Sequence, residues 1–295
     1  MASFAMMTMC VTVSFFAASI FMLSLGHGAT RENMDKYTKT YNVILDNMDL
    51  FEYRLRPISA IMYLQDAFAR YTATKKMAAY DLFATNQIWI VAEFNVDFAN
   101  ELPFWSEEIE VSIWISEITK LKVYTDYELK CKGITFAKGN ALWFVIDNET
   151  KRPAKTDVVS ERFEVCNKLV SGEHKKFVLP QATEVYTKIE HKNNLSDIDF
   201  NKHVNNKSYI NLAEMTVPDE FRKTKVLKNL HIRFNKETFL DDTLTCTTNR
   251  TENKNTFTHI IEKDGVSVCE IATVWEEKNS KNNIVEYNLD VKKEG

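Results

Sequence analysis

Arg56-Pro57-Ile58-Ser59-Ala60-Ile61-Met62-Tyr63-Leu64-Gln65-Asp66-Ala67-Phe68-Ala69-Arg70-Tyr71 is the stretch from which the architecture can be read. Ile58, Ile61, Met62, Gln65, Phe68 and Tyr71 recur at helical spacing, and Pro57 suits a first helical position, where the backbone N–H has no partner to lose. The spacing predicts a helix from Pro57 to about Met77, with Met62, Phe68 and Tyr71 as core. Beyond it, Ile88 to Asp97, Ile109 to Ile115, Leu121 to Lys132 and Ala141 to Asp147 alternate or run apolar, rich in β-branched and aromatic residues. Antiparallel strands packed on one face read this way. One helix laid on several long strands is an α+β layer pair.

The pattern then repeats from Ala182. A helical segment from Asn206 to Met215 stops before Pro218, and strands follow at Val226 to Asn235, Leu244 to Arg250, Thr256 to Lys263 and Val266 to Trp275. Asp264-Gly265 between the last two is a hairpin signal, because both central residues of that turn need positive φ. The expectation is an internal duplication: an N-terminal unit over 34–150, a crossover linker over 151–181 with two prolines and mixed charge, and a C-terminal unit over 182–295.

Composition narrows the function. A net charge of −4 provides no global field for a polyanion, so nucleic acid is not an expected partner. The five cysteines are scattered, with no Cys-x-x-Cys pair, which argues against a disulfide framework and against zinc. No metal is expected, and with seven unclustered glycines there is no phosphate-cradling loop, so no cofactor is expected either. Residues 1–33 are an apolar extension whose run from Val11 to Leu25 is long enough for a signal core and short for a membrane span. Gly26-His27-Gly28-Ala29 would serve as a cleavage site, yet the leading positive charge of a secretory signal is missing. Met34 opens a stretch that reads as a start, so a gene model extended too far upstream competes with a signal or anchor. A cytoplasmic location follows from the former, membrane anchoring or export through 1–33 from the latter.

The chemistry concentrates in Asp197-Ile198-Asp199-Phe200-Asn201-Lys202-His203-Val204-Asn205-Asn206-Lys207-Ser208-Tyr209. If extended, it puts the polar residues 197, 199, 201 and 203 on one face and Ile198, Phe200 and Val204 on the other. Asn205 or Asn206 can cap the helix that follows, and the helix start has N–H groups able to face a developing negative charge. Asx-rich stretches before helices also serve simply as turns and caps, and a lone His is often only a hydrogen-bonding group.

The run Asp199-x-Asn201-x-His203-Val204-Asn205-Asn206-x-x-Tyr209 resembles the active-site motif of the acyl-acyl-carrier-protein (acyl-ACP) thioesterases. Tyr63-Leu64-Gln65-Asp66-Ala67 is similar to the family's first-helix signature. Glu101-Leu102-Pro103 with Trp114, then Trp143-Phe144-Val145-Ile146-Asp147 and Thr150-Lys151-Arg152-Pro153, are similar to its strand region. The resemblance implies two tandem hot-dog domains, each a long helix packed on an antiparallel sheet. It implies hydrolysis of fatty acyl thioesters carried by ACP, with release of free fatty acid and no cofactor. The catalytic residues it implies are Asp199, Asn201, His203 and, in Phe234-Asn235-Lys236-Glu237-Thr238, Glu237.

Two departures stand out: Thr238 replaces the Cys that follows the Glu in many plant members, and Thr125-Asp126 stands where an Arg is expected. With no Gly-x-Ser-x-Gly motif, the expected mechanism is attack by water assisted by Glu237 and Asp199, with His203 handling a proton and Asn201 orienting. An acyl-CoA thioesterase, a non-catalytic acyl-binding protein and a hot-dog hydratase are the rival readings. Asp49 corresponds to Asp199, but 50–54 lacks the Asn and His, so the first half is expected to shape the acyl pocket. Arg222, Lys223, Lys225 and Lys228 are the expected basic patch for an acidic carrier; a homodimer is left open.

Overall fold

The computed structural model describes residues 35–49, 53–99 and 101–278; the apolar run from Val11 to Leu25 lies outside the described residues. The first half comprises β1 (Lys36–Asn42), α1 (Pro57–Thr74), α2 (Ala79–Phe83), β2 (Gln87–Phe98), β3 (Glu108–Ile118), β4 (Val123–Cys131) and β5 (Ile134–Asp147). After a short α3 (Asp157–Ser160) come β6 (Ala182–Lys192), α4 (Asn206–Met215), α5 (Asp219–Thr224), β7 (Lys225–Phe234), β8 (Thr243–Thr251), β9 (Thr256–Lys263) and β10 (Val266–Glu277). No helix among the described residues is long and apolar enough to cross a membrane.

All the strands join one antiparallel sheet in the order β1-β3-β4-β5-β2-β7-β10-β9-β8-β6. Read inward from either edge the order is the same, so the duplication seen in the sequence is a pseudo-twofold of the structure. The seam is β2 against β7, from Glu93 opposite Arg233 to Asp97 opposite Asn229. Asn229 Nδ2 locks it, donating to Asn95 Oδ1 at 2.9 Å and Asp97 Oδ1 at 2.8 Å. Pairing here removes two sheet edges that would otherwise invite aggregation.

The core of the first half lies between α1 and the sheet. Phe68 stacks on Trp143 with centroids 3.6 Å apart, and Trp89 and Phe94 meet these rings edge-on. Phe68 and Tyr71 are buried as expected, whereas Met62 is 37% exposed, so the apolar stripe stops short of it. Each large side chain so buried stabilises by about 1.5–3 kcal/mol.

Several boundaries differ from the periodicity. The helix α1 ends at Thr74 because Lys76 takes a left-handed φ of 55° and its N–H turns back to the Ala73 carbonyl. The strand β5 begins at Ile134 rather than Ala141. Its Gly139 hides the strand in the sequence, yet a Cβ there would sit 1.9 Å from the Asn95 carbonyl oxygen, so the close approach of β2 requires glycine. In the second half α4 has the expected bounds, Asn206–Met215, and the short α5 after Pro218 is an addition that periodicity did not show. Pro218 has no N–H to continue α4, and Thr216 Oγ1 closes it by donating to the Ala213 carbonyl. The hairpin at Asp264-Gly265 forms as expected, both residues having positive φ.

Residues 151–181 are not a loose tether but a strap packed across the outer sheet face. Trp114 Nε1 donates to the Lys168 carbonyl at 2.8 Å, and Phe177, 2% exposed, packs edge-on to His231. Asp126, where the family resemblance led one to expect an Arg, is fully buried beneath this strap. Its Oδ1 accepts from Val170 N and its Oδ2 from His174 Nε2, at 2.8 and 2.9 Å.

Candidate active site

The candidate motif begins where β6 ends. Asn194 and Asp197 form a reciprocal cap around a 3-10 turn: Asn194 Oδ1 accepts from Ser196 N and Asp197 Oδ2 from Asn194 N, both at 2.9 Å. His191 Nε2 also lies 2.8 Å from Asp197 Oδ2. Burial disfavours the Asp197 charge, but the bonds from Asn194 N–H and His191 outweigh it and hold the carboxyl below the usual range. Asp197 is therefore spent on the fold.

Ile198 and Val204 then pair as an isolated bridge, closing a tight loop. Asp199 N donates to the His203 carbonyl at 2.9 Å, Lys202 N to the Asp199 carbonyl at 3.0 Å, and Asn201 N to Asp199 Oδ1 at 2.8 Å. Lys202 takes a left-handed φ of 67°. The extended row of 197, 199, 201 and 203 on one face thus does not form. An Asp carboxylate two residues ahead of a free N–H offers the backbone a turn instead, and Asp199 takes it.

The same turn aims His203 at Glu237. Nδ1 lies 3.5 Å from Oε1, with the imidazole edge-on to Phe239 at 5.2 Å, and both side chains keep partial access to solvent. Val204 N donates to the Thr238 carbonyl at 2.9 Å, and Tyr209 OH meets Thr238 Oγ1 at 2.7 Å, so the loop, α4 and the segment after β7 are stitched together at the pair. Burial pushes the Tyr209 phenol up to about 12. At 3.5 Å the pair is looser than a good hydrogen bond, as unliganded acid–base pairs commonly are before substrate tightens them.

Of the four expected catalytic residues, the structure brings His203 and Glu237 together. Asp199 lies at the base of the same loop with Oδ1 on its own turn, and Asn201 is exposed at the tip. Asn205 caps α4 by accepting from Lys207 N at 3.0 Å, which takes one of the helix-start donors expected to face an oxyanion. Tyr209 and His191 are the supporting residues that spacing alone did not single out. Among the described residues no group of three or more His, Cys, Asp and Glu is placed to hold a metal.

Three of the described thiols are made poorer nucleophiles: burial pushes Cys246 up to about 11 and Cys269 well above its usual value, and Cys131 is raised to about 11, by burial first. The expected basic patch is also reduced. Arg222 pairs with Asp219 and Lys225 with Glu277, their side chains only 16% and 12% exposed, while Lys223 stays exposed.

The first half reproduces the loop without its chemistry. Asp49 N donates to Arg54 O, Leu55 N to Pro103 O and Arg56 N to Asn47 O, at 2.8, 2.7 and 2.7 Å, and Met48 bridges Leu55. Each bond has its partner in the second half. By this correspondence Arg54 stands for His203 and Leu102 for Glu237, and Arg54 Nη1 donates to the Leu102 carbonyl at 2.8 Å.

The chain was compared with known proteins. The acyl-ACP thioesterase N-terminal domain matches residues 34–163 and the acyl-ACP thioesterase C-terminal domain matches 180–277. A chloroplastic acyl-[acyl-carrier-protein] hydrolase of Cuphea viscosissima is 26% identical over 79% of this chain and 58% of its own length. A chloroplastic oleoyl-acyl carrier protein thioesterase of Arabidopsis thaliana is 24% identical over 75% of this chain and 67% of its own. The chain thus spans little more than half the length of the first of these relatives. Among solved structures, an acyl-ACP thioesterase from Bacteroides thetaiotaomicron superposes with a TM-score of 0.73 at 19% identity, covering 82% of this chain and 98% of that one. A 12:0-ACP thioesterase from Umbellularia californica superposes at 0.72 and 16% identity, covering 83% and 98%. The fold is therefore the tandem hot-dog, and the chain belongs to the acyl-ACP thioesterase family.

Proposed function

We propose that the chain hydrolyses fatty acyl-ACP thioesters and releases the free acid, acting in the cytoplasm, with residues 182–295 carrying the chemistry and 34–150 shaping the acyl pocket. The observation that carries this reading is the approach of His203 Nδ1 to Glu237 Oε1 at 3.5 Å, two residues far apart in the chain. Because Nδ1 is turned to the carboxylate, Nε2 is the nitrogen left to take a proton from water. Water oxygen then bonds the carbonyl carbon, Glu237 offsets the imidazolium charge, and the tetrahedral adduct expels the pantetheine thiolate, which receives the same proton as the C–S bond breaks. Asp199 holds the turn that aims His203, and the Asn201 amide is available to orient the thioester.

The experiment is to incubate the purified protein with a series of acyl-ACPs and the matching acyl-CoAs and identify the released acids. Release from acyl-ACP that is lost in His203→Ala supports the proposal. Preference for acyl-CoA would make the protein an acyl-CoA thioesterase, and binding without release would make it an acyl-binding protein.

A further inference from the structure

The two halves share their backbone hydrogen bonds around the loop, so a side-chain bond made in only one of them marks what that half adds. Directly after β6, Asn193 N donates to the Asp242 carbonyl at 2.9 Å, and the Asn193 carbonyl accepts from Asp241 N at 3.2 Å. Directly after β1, Val43 N donates to the Glu107 carbonyl and the Val43 carbonyl accepts from Ser106 N, both at 3.0 Å. The neighbouring turn is shared as well: Phe239 N donates to Asp242 Oδ2 at 2.9 Å, as Phe104 N does to Glu107 Oε2 at 2.7 Å. Asn193 and Val43 are therefore equivalent positions, 2% and 1% exposed.

Their side chains differ in one consequence. Asn193 Nδ2 donates to the Phe239 carbonyl at 2.8 Å, a bond that valine cannot make. With Asp242 on its N–H and Asn193 on its carbonyl, the Phe239 backbone is held on both sides, and Asp242 is itself fixed by Lys263 Nζ at 2.6 Å. The ring carried by that backbone is the one edge-on to the His203 imidazole at 5.2 Å. Asn193 Oδ1, meanwhile, is buried with no hydrogen-bond partner among the described residues. The amide cannot turn over to satisfy it, because the Phe239 carbonyl needs a donor. An apolar side chain such as that of Val43 would avoid the cost of a buried orphan acceptor. The asparagine thus serves the fold poorly, and what it adds is the hold on Phe239.

We propose that Asn193 is a positioning residue for the His203–Glu237 pair: by holding the Phe239 carbonyl it keeps the ring against His203 and the imidazole turned to Glu237. Aromatic edge contacts have a preferred geometry, and a pair 3.5 Å apart depends on whatever fixes the plane of its imidazole. Misplacing an acid–base group by about 1 Å can lower a rate by about a hundredfold. The catalytic consequence rests on the hydrolytic reading of the pair, whereas the placement of the ring rests on geometry alone.

The test compares the full chain with Asn193→Val and Asn193→Leu, each alone and combined with Phe239→Ala. Valine already occupies the same backbone setting in the first half, and thermal melts identify the variants folded at the assay temperature. On a small acyl thioester each single variant should lower kcat at least tenfold with KM within threefold of wild type. In the Phe239→Ala background the same substitutions should change kcat less than twofold, since the ring they release is gone. An aromatic ring displaces the magnetic resonance signals of nuclei beside it. With isotope-labelled histidine, the His203 imidazole signal, assigned by its loss in His203→Gln, should therefore move in Asn193→Val towards its position in Phe239→Ala. Wild-type kcat in both variants, a loss confined to KM, equal effects with and without Phe239, an unmoved His203 signal, or failure of both variants to fold would each overturn the proposal. A wild type that hydrolyses no thioester would sink the hydrolytic reading instead, and the His203 signal would still decide whether Asn193 places the ring.

Discussion

Thr238 follows Glu237 directly, where many plant members of the family have a cysteine, and the structure makes its hydroxyl a packing group rather than a nucleophile. Its side chain is fully buried and its Oγ1 lies 2.7 Å from Tyr209 OH, itself 3% exposed. Thr238→Val keeps the shape but deletes the partner, leaving the phenol buried with one bond fewer. An unsatisfied buried hydroxyl costs about 1–3 kcal/mol, whereas deleting both partners together is close to neutral. Thr238→Val and Tyr209→Phe should therefore each destabilise by about 1–3 kcal/mol, and the double variant by clearly less than their sum. At about 2–4 °C per kcal/mol for a chain of this size, each single variant should melt measurably lower. Thermal melts and urea unfolding of the wild type, both singles and the double close the cycle, and hydrolysis of a small acyl thioester is assayed in parallel below the transition. Turnover in Thr238→Val should stay within a few-fold of wild type. A loss of a hundredfold or more in turnover without loss of stability would make Thr238 a reacting group, and strictly additive stabilities would mean that the two hydroxyls do not interact.

Four further outcomes are expected. Asp199→Ala, His203→Ala and Glu237→Ala should each lower kcat by about a hundredfold or more, the scale for removing a positioned acid–base group, with Asp199→Ala acting through the turn it closes; a near wild-type Glu237→Ala would sink the water mechanism. Alkylating the thiols of the folded protein should leave turnover unchanged, since the buried cysteines are raised rather than lowered in pKa; inactivation without unfolding would point to a thiol. His174, stacked on Tyr124 and within reach of Ser116, Glu117 and Asp126, is opposed by burial but raised overall by the two carboxylates. With the folded pKa above the unfolded one, its stabilising contribution is complete below the unfolded value of about 6.5 and is lost as pH rises through the folded value. Urea midpoints should thus fall from about pH 6.5 upward in wild type and flatten in His174→Gln; parallel pH profiles for the two would refute the strap pairing. Finally, reversing Lys223 and Lys228 should raise KM for acyl-ACP and leave hydrolysis of a small thioester intact, whereas equal loss on both substrates would place these lysines in folding or catalysis.

Periodicity alone was enough to find α1, α4 and the strands β2 to β5 and β7 to β10, though not the short helices α2, α3 and α5. The 3.6-residue stripe from Ile58 to Tyr71 and the alternating strands, met twice, specify helix and sheet because burial on one face demands those repeats. The Asp264-Gly265 turn and the Asn205 cap were legible because their chemistry is local. Glycine hid the start of β5, since the reason for Gly139 is a neighbouring strand that the local sequence does not display. The motif from Asp197 to His203 has the period of a strand but folds as a cap and a turn, because two carboxylates that can reach nearby N–H groups outcompete an extended backbone. Tertiary structure alone decided which polar groups meet: Glu237 at His203, Asp126 at His174 beneath the strap, and Arg54 at the Leu102 carbonyl. Those meetings depend on which strands pair across the sheet and on where the strap crosses it. Both are set by contacts between residues distant in the chain, where a local repeat carries no information.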